Sequence, residues 1–183
     1  MSNVIAKIPS VKDGEVFSVG GVEFIKFPEV NGTVPAVTKN IVFTSRFGDD
    51  NDLRSSDVLK KLMDDFLPRI IEVVGTEGLC VVKTDLTTLD GLKPYGEIAS
   101  LVSLPTFDFY RANVDIFDKY NPKRWWWLAT PESAQPHDSP YWVSCVAPSG
   151  FVNSVRFSFR GDFYCGVRPF LSFNSSIFES SAQ

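Results

Sequence analysis

Trp125-Trp126-Trp127-Leu128-Ala129-Thr130-Pro131 opens the stretch that decides the fold of this chain. From Trp125 onward apolar and polar residues follow a period of two. Turn signals come at short intervals, over 136–140, at Pro148-Ser149-Gly150 and at Arg160-Gly161-Asp162. That pattern predicts antiparallel β structure, because successive strand side chains point to opposite faces. Over 151–160, Phe151, Val155, Phe157 and Phe159 share one face, and Val152, Ser154, Arg156, Ser158 and Arg160 share the other. One face is expected in the core and the other against water or a partner. Within the tryptophan run, Trp125 and Trp127 point one way and Trp126 the other. All three are buried only if the strand is covered on both sides, so one indole is expected to be open to a ligand or neighbour.

Working back from this region, residues 15–27 alternate around Gly20-Gly21, a hairpin pattern in which Val22, Phe24 and Phe27 suit one face. Asn31-Gly32 marks a second turn, and residues 41–43 read as a short strand before a polar, solvated acidic loop over 48–52. The strongest helix follows: Val58, Leu59, Leu62, Met63 and Phe66 recur at three- and four-residue spacing behind Ser55 or Ser56 as N-cap. Pro68 is expected to end or kink it, with Ile70 to Val74 as a further helical turn. Residues 79–82 read as a strand, and 104–109 as a short helix with Ser103 as cap and Pro105 in its first turn. The fold class is therefore α+β, mainly antiparallel β with one or two helices in the first two-thirds. A single domain is expected over 1–183, its core over about 14–174, with short tails.

Composition sets limits on function. With 183 residues, 44% of them hydrophobic, and 16 Phe and 4 Trp, one aromatic core is affordable and disorder of the whole chain is excluded. A net charge of −4 argues against direct nucleic-acid binding, which depends on Lys and Arg neutralising phosphates. Three cysteines, Cys80, Cys145 and Cys165, suit neither a disulfide framework nor a zinc site and read as buried thiols. No signal peptide stands at the start and no run of about 18 apolar residues occurs, so neither export nor a membrane is expected. Asn31-Gly32-Thr33 and Asn174-Ser175-Ser176 match the glycosylation sequon but read as turns.

Catalytic residue types are scarce. His137 is the single histidine, in the loop Gln135-Pro136-His137-Asp138-Ser139-Pro140, and neighbours on one loop do not make a triad. Asp49, Asp50 and Asp52 lack the spacing of a calcium loop, and neither Gly20-Gly21 nor Gly75-x-x-Gly78 makes a phosphate loop. The carboxylates Asp64-Asp65 sit on the helix without glycosidase character. Arg156, Arg160 and Arg168 stand among aromatics but do not form an RNA-reading motif. No metal or cofactor is expected, and the chain reads as a non-enzyme.

The third of the chain over 123–173 resembles a family of uncharacterised domains found in gut bacteria and their phages. Its signature is Trp-Trp-Leu-Arg-Ser-Pro, then a strand and hairpin, then Gly-Val-Arg-Pro-Ala-Leu. The matching residues are Trp126-Trp127-Leu128-Ala129-Thr130-Pro131, then Tyr141-Trp142-Val143 and Gly150-Phe151-Val152, then Gly166-Val167-Arg168-Pro169-Phe170-Leu171. Ala129, Thr130 and Phe170 depart from the pattern, and a ligand or ion pair held by the family's arginine would be missing here. The order of these blocks is also similar to the C-type-lectin-like fold, although the calcium motifs of sugar-binding lectins are absent. Cys145 and Cys165 do not match the reactive pair of the formylglycine-generating branch.

The resemblance implies framework roles for Trp126, Trp127, Leu128, Gly166, Val167, Arg168 and Pro169. It leaves recognition to what they display: Trp125, the 131–140 loop with His137 and Asp138, Tyr141, and the outward Arg156 and Arg160. It implies a phage or prophage protein that binds a protein or glycan ligand, as a virion-surface or receptor-recognition component. Such a protein is made in a bacterial cytoplasm and built into the virion, with homo-oligomers compatible. Two rivals stand beside this: an intracellular inhibitor of a host defence nuclease, of the anti-CRISPR type, and an enzyme relying on reactive thiols. Arg168, always charged, is expected to find carboxylate or carbonyl partners and pin the last strand. Arg168→Leu is then expected to cost about 2–4 kcal/mol.

Overall fold

Gly20 and Gly21, with φ of 56° and 77°, fold β1 (Val16–Val19) back onto β2 (Val22–Lys26), a reversal that favours glycine at both corners. The computed structural model describes residues 7–137, 141–156 and 165–179. After the Asn31-Gly32 turn, β3 (Thr33–Thr38) pairs with β2. It also pairs with β12 (Phe170–Asn174), which in turn pairs with β5 (Leu79–Cys80). The first sheet thus runs β1-β2-β3-β12-β5. A second runs β10-β9-β8-β11-β4, from β4 (Phe43–Ser45), β8 (Trp126–Pro131), β9 (Trp142–Val146), β10 (Val152–Arg156) and β11 (Cys165–Val167). Its β8–β11 pair is parallel and its other pairs antiparallel. A ribbon of β6 (Val82–Asp85) and β7 (Glu97–Ser100) stands apart. The architecture is α+β with mostly antiparallel strands and few helices.

The main helix spans 57–74 as α1 (Asp57–Lys61), a wider π-helical turn (Leu62–Phe66) and α2 (Leu67–Val74). Ser56 is the cap, its Oγ accepting from Leu59 N at 3.0 Å. Of the two expected effects, Pro68 does not end the helix, which runs on through Ile70 to Val74 after a local widening. The π turn immediately before it, closed by Leu67 N donating to Leu62 O, absorbs the lost hydrogen bond and the ring clash. The extra residue in that turn shifts the apolar stripe. Val58, Leu62 and Phe66 are buried, whereas Met63, expected in the core, is 41% exposed. The second helix also starts later than expected. Thr106, not Ser103, caps α3 (Phe107–Ala112), followed by α4 (Val114–Asp118). Ser103 instead bridges to Phe170 and accepts from Thr84 Oγ1 at 2.7 Å. No helix among the described residues is long and apolar enough to cross a membrane.

The larger core draws on both sheets and the helix, and the tryptophan strand is sealed on both faces. Trp127 faces this core, edge-on to Phe47, and its indole Nε1 donates to Ser45 O at 2.9 Å. Trp126 faces a second, smaller cluster with Phe27, Tyr110 and Phe117, and its Nε1 donates to Asn121 Oδ1. Phe24 and Phe27, expected on one face, therefore serve different clusters. Gly166 lies under Ile41: a Cβ there would stand 2.3 Å from Ile41 Cδ1. The β10 faces are less distinct than expected. Val155 leans on the larger core, Val152 on the smaller, and Phe151 is exposed; Phe157, Phe159 and Arg160 lie outside the described residues.

Arg168 is fully buried and does pin the last strand, but through a carbonyl: its Nε donates to Thr38 O at 2.9 Å. Its guanidinium lies 4.7 Å from the Trp126 ring centre and 5.6 Å from that of Phe117, and neither Nη has a hydrogen-bond partner among the described residues. Burial lowers its pKa to about 9, so it remains a cation at neutral pH. The carbonyl is one of the two expected kinds of partner, and aromatic faces cover the rest of the cation.

The acidic loop is solvated only in part: Asp49 is exposed, whereas Asn51 and Asp52 are buried. Asn51 is fully buried. Its Nδ2 donates to Ser133 O at 2.9 Å and Trp142 O at 3.1 Å, while its Oδ1 accepts from Tyr95 OH at 2.6 Å. Asp52, 8% exposed, caps the turn Leu53–Ser55 and pairs with Arg54.

Candidate functional site

Two neighbouring elements leave a concave surface between them. One wall is β6 with the loop that follows it; the other is the start of α3 with Thr130 from β8. The cavity measures about 350 Å³ and is lined chiefly by Lys83, Asp85, Thr87, Thr106, Asp108 and Arg111. Local chemistry builds both walls. Asp85 Oδ1 accepts from the backbone and hydroxyl of Thr87, closing a tight turn at the end of β6. Across the cavity, Thr130 Oγ1 accepts from Phe107 N at 2.8 Å, docking α3 on the tryptophan strand. Leu89 N donates to Pro131 O and shuts one end.

Thr88, which also lines the cavity, leads to a polar cluster centred on Asp90. Asp90 Oδ1 accepts from Thr88 Oγ1, and Oδ2 accepts from Ser133 Oγ at 2.6 Å and meets His137 Nδ1 at 3.0 Å. These hydrogen bonds hold the Asp90 carboxyl well below the usual carboxylate range, Ser133 contributing most, then Thr88 and His137. A depressed folded-state pKa adds stability that is present above the ordinary value of about 3.9 and is lost as pH falls below it. The Asp90 carboxyl signal in an NMR titration is expected to remain that of the anion at pH 3.5; a midpoint in the ordinary range would contradict these contacts.

A serine, a histidine and an aspartate thus meet, but not as a nucleophilic triad. Ser133 donates to the carboxylate and not to the imidazole, and the lowered pKa of that carboxylate makes it a poor base.

The sequence-derived candidates are scattered. His137 joins Asp90 and is 55% exposed at its side chain. Tyr141 lies beneath the Arg156 guanidinium at 5.0 Å, at one end of the β9–β10 hairpin. Trp125, half-buried and edge-on to Phe151, sits at the other end. Asp138 and Arg160 lie outside the described residues. Of the candidates among the described residues, Tyr141 and Arg156 come together, while His137 meets Asp90 and Trp125 meets Phe151. The framework residues Trp126, Trp127, Leu128, Gly166, Val167, Arg168 and Pro169 are all buried.

Sequence reading missed the cavity residues and Asp90 altogether. The hydroxyl-carboxylate turn Thr88-Leu89-Asp90-Gly91 was a readable local signal, but its partners lie 43 and 47 residues away.

Among the described residues no three His, Cys, Asp or Glu side chains gather as for a metal ion. Cys145 and Cys165 are buried, and hydrogen bonding with Cys165, together with burial, pushes the Cys145 thiol far above the ordinary range. Cys80 is only partly covered. Iodoacetamide on the native protein is expected to alkylate Cys80 and spare the other two, read by peptide mass mapping; fast labelling of Cys145 would revive a thiol-based enzyme. No family model, no curated protein and no solved structure matches this chain.

Proposed function

We propose that this chain is a non-catalytic recognition domain of a phage or prophage, working at the virion surface or in receptor binding. The observation that carries the non-catalytic part is the Asp90 cluster: its hydroxyls donate to a carboxylate held well below its usual range, which is a poor base, and not to the imidazole. The adjoining cavity offers hydroxyl, carboxylate and cationic groups on two firm walls, as a binding surface does. The phage setting rests on the resemblance of the Trp126–Pro131 and Gly166–Leu171 blocks to the gut-bacterial and phage domains. A C-type-lectin-like arrangement is part of the same proposal. It is supported by a buried tryptophan strand placed between the β9–β10 hairpin and the closing Gly166–Pro169 block.

The test is attachment of the fluorescently labelled chain to a panel of gut-bacterial cells, together with mass spectrometry of purified virions. Surface attachment that falls severalfold for Arg111→Glu, an exposed cavity residue, is the expected result. Absence from virions combined with attachment to no cell would overturn the reading. Capture of a host nuclease by the immobilised chain would put the inhibitor in its place.

A further inference from the structure

The edge of β6 turned away from β7 is open. We propose that the cavity beside it takes an extended peptide segment, which adds to β6 as a further strand and seats a branched aliphatic side chain at the apolar end. This deepens the recognition reading above and rests on it.

The direction of the β6 backbone follows from its ladder. Leu86 N donates to Gly96 O at 3.0 Å, and the β6–β7 register, with Asp85 opposite Glu97, sets these two residues face to face. In an antiparallel pair, bonded and non-bonded residue pairs alternate. Thr84–Ile98 and Val82–Ser100 therefore exchange backbone hydrogen bonds, whereas the N–H and C=O groups of Lys83 and Asp85 turn outward. Among the described residues nothing pairs with these four groups. They repeat at about 6.8 Å, the rise of two strand residues, which is the repeat of another extended chain. A sugar has no such alternation of donors and acceptors.

Room for that chain exists because β6 leaves the first sheet. β5 pairs with β12 through Cys80 and Ser172, but Phe170 then exchanges hydrogen bonds with Ser103, at 2.8 and 2.9 Å, and not with β6. The outer edge of β6 consequently looks across the cavity at the start of α3. At that end lies a recess of about 100 Å³ among Val82, Leu104, Pro105, Phe109 and Phe170, which shares Lys83 and Thr106 with the main cavity. It is smaller than the ~150 Å³ apolar cavity that admits benzene, so it suits an aliphatic side chain better than an aromatic one. Lys83 is met by Glu97 at 3.8 Å and Arg111 by Asp108 at 3.0 Å, and the Asp85 carboxylate accepts from Thr87. The central residues of the segment accordingly need no charge.

The experiment screens a soluble library of random octapeptides against the immobilised full chain. Enriched peptides are expected to share one Val, Ile or Leu position and to protect the Lys83 and Asp85 amides from hydrogen exchange. N-methylation of an enriched peptide at alternate residues should weaken binding about tenfold or more, while methylation between them leaves it unchanged, as strand pairing requires. Lys83→Pro deletes an outward N–H that the fold does not use. With an unchanged circular dichroism spectrum and Tm, it should weaken the same peptide comparably; if it does not fold, the N-methyl series on the unaltered chain decides. No enrichment, no alternation in the N-methyl series, or undiminished binding by folded Lys83→Pro overturns strand addition. Failure of the library with cell attachment retained overturns strand addition and leaves the recognition reading standing. Peptide binding that meets these criteria, with neither cell attachment nor presence in virions, supports strand addition and removes the virion reading.

Discussion

Trp126→Ala is expected to lower stability by about 4 kcal/mol, measured by urea unfolding, placing it among the most damaging single changes in the chain. The indole is fully buried, stacks on Phe117 at 5.7 Å, meets Tyr110 at 5.8 Å and donates to Asn121. Its loss also removes the ring on which the Arg168 cation lies. Arg168→Met, by contrast, should stay within about 1 kcal/mol of the parent. It keeps the volume and removes a buried charge that has no carboxylate partner among the described residues, whereas Arg168→Leu also loses volume and the contact to the buried Thr38 carbonyl, so that the expected loss of about 2–4 kcal/mol stands for it. The double variant should cost less than the sum of the singles, since the two groups touch. A Trp126→Ala loss under about 2 kcal/mol would show that the smaller cluster does not close the fold.

Asn51→Ala is the second large effect, at about 3 kcal/mol by the same measurement. One side chain joins three distant segments, and its removal strands the Ser133 carbonyl and the Tyr95 hydroxyl, while the Trp142 carbonyl keeps only Glu132 N. The consequence extends to the candidate site, because Ser133 is held through its carbonyl by Asn51 and through its hydroxyl by Asp90. The variant should therefore also broaden the His137 ring signals in NMR. Asn51→Asp should cost at least as much, because it sets a fully buried carboxylate against the Ser133 and Trp142 carbonyl oxygens. A cost from Asn51→Ala below about 1 kcal/mol would mean that the contacts are replaced by water.

What could be read from sequence was mostly local. The hairpins at Gly20-Gly21 and Asn31-Gly32 and the Ser56 cap rely on residues within a few positions of one another, and each forms. The burial of Trp126 and Trp127 could be framed as a choice between one covered face and two, which the packing of Phe47 and Phe117 decides. What escaped depends on partners far along the chain. Periodicity over 79–82 reads as one strand, yet Leu79–Cys80 and Val82–Asp85 enter different sheets because Ser103 takes the place beside Phe170. The π turn escaped because proline's rule describes an ideal α-helix, and a locally widened one satisfies the same sterics. The candidate site was the least legible part. Asp90 is an ordinary turn residue until Ser133 and His137 arrive from the far end of the tryptophan strand.

Only Val81 separates β5 from β6, and this single-residue hinge ties the phase of the cavity wall to the phase of the core. An insertion or deletion there would turn Val82 and Thr84 outward and drive Lys83 and Asp85 against the interior. The chain can vary the wall's side chains freely, but not the length that leads to it. Diversity at this surface is open to substitution and closed to insertion at its root.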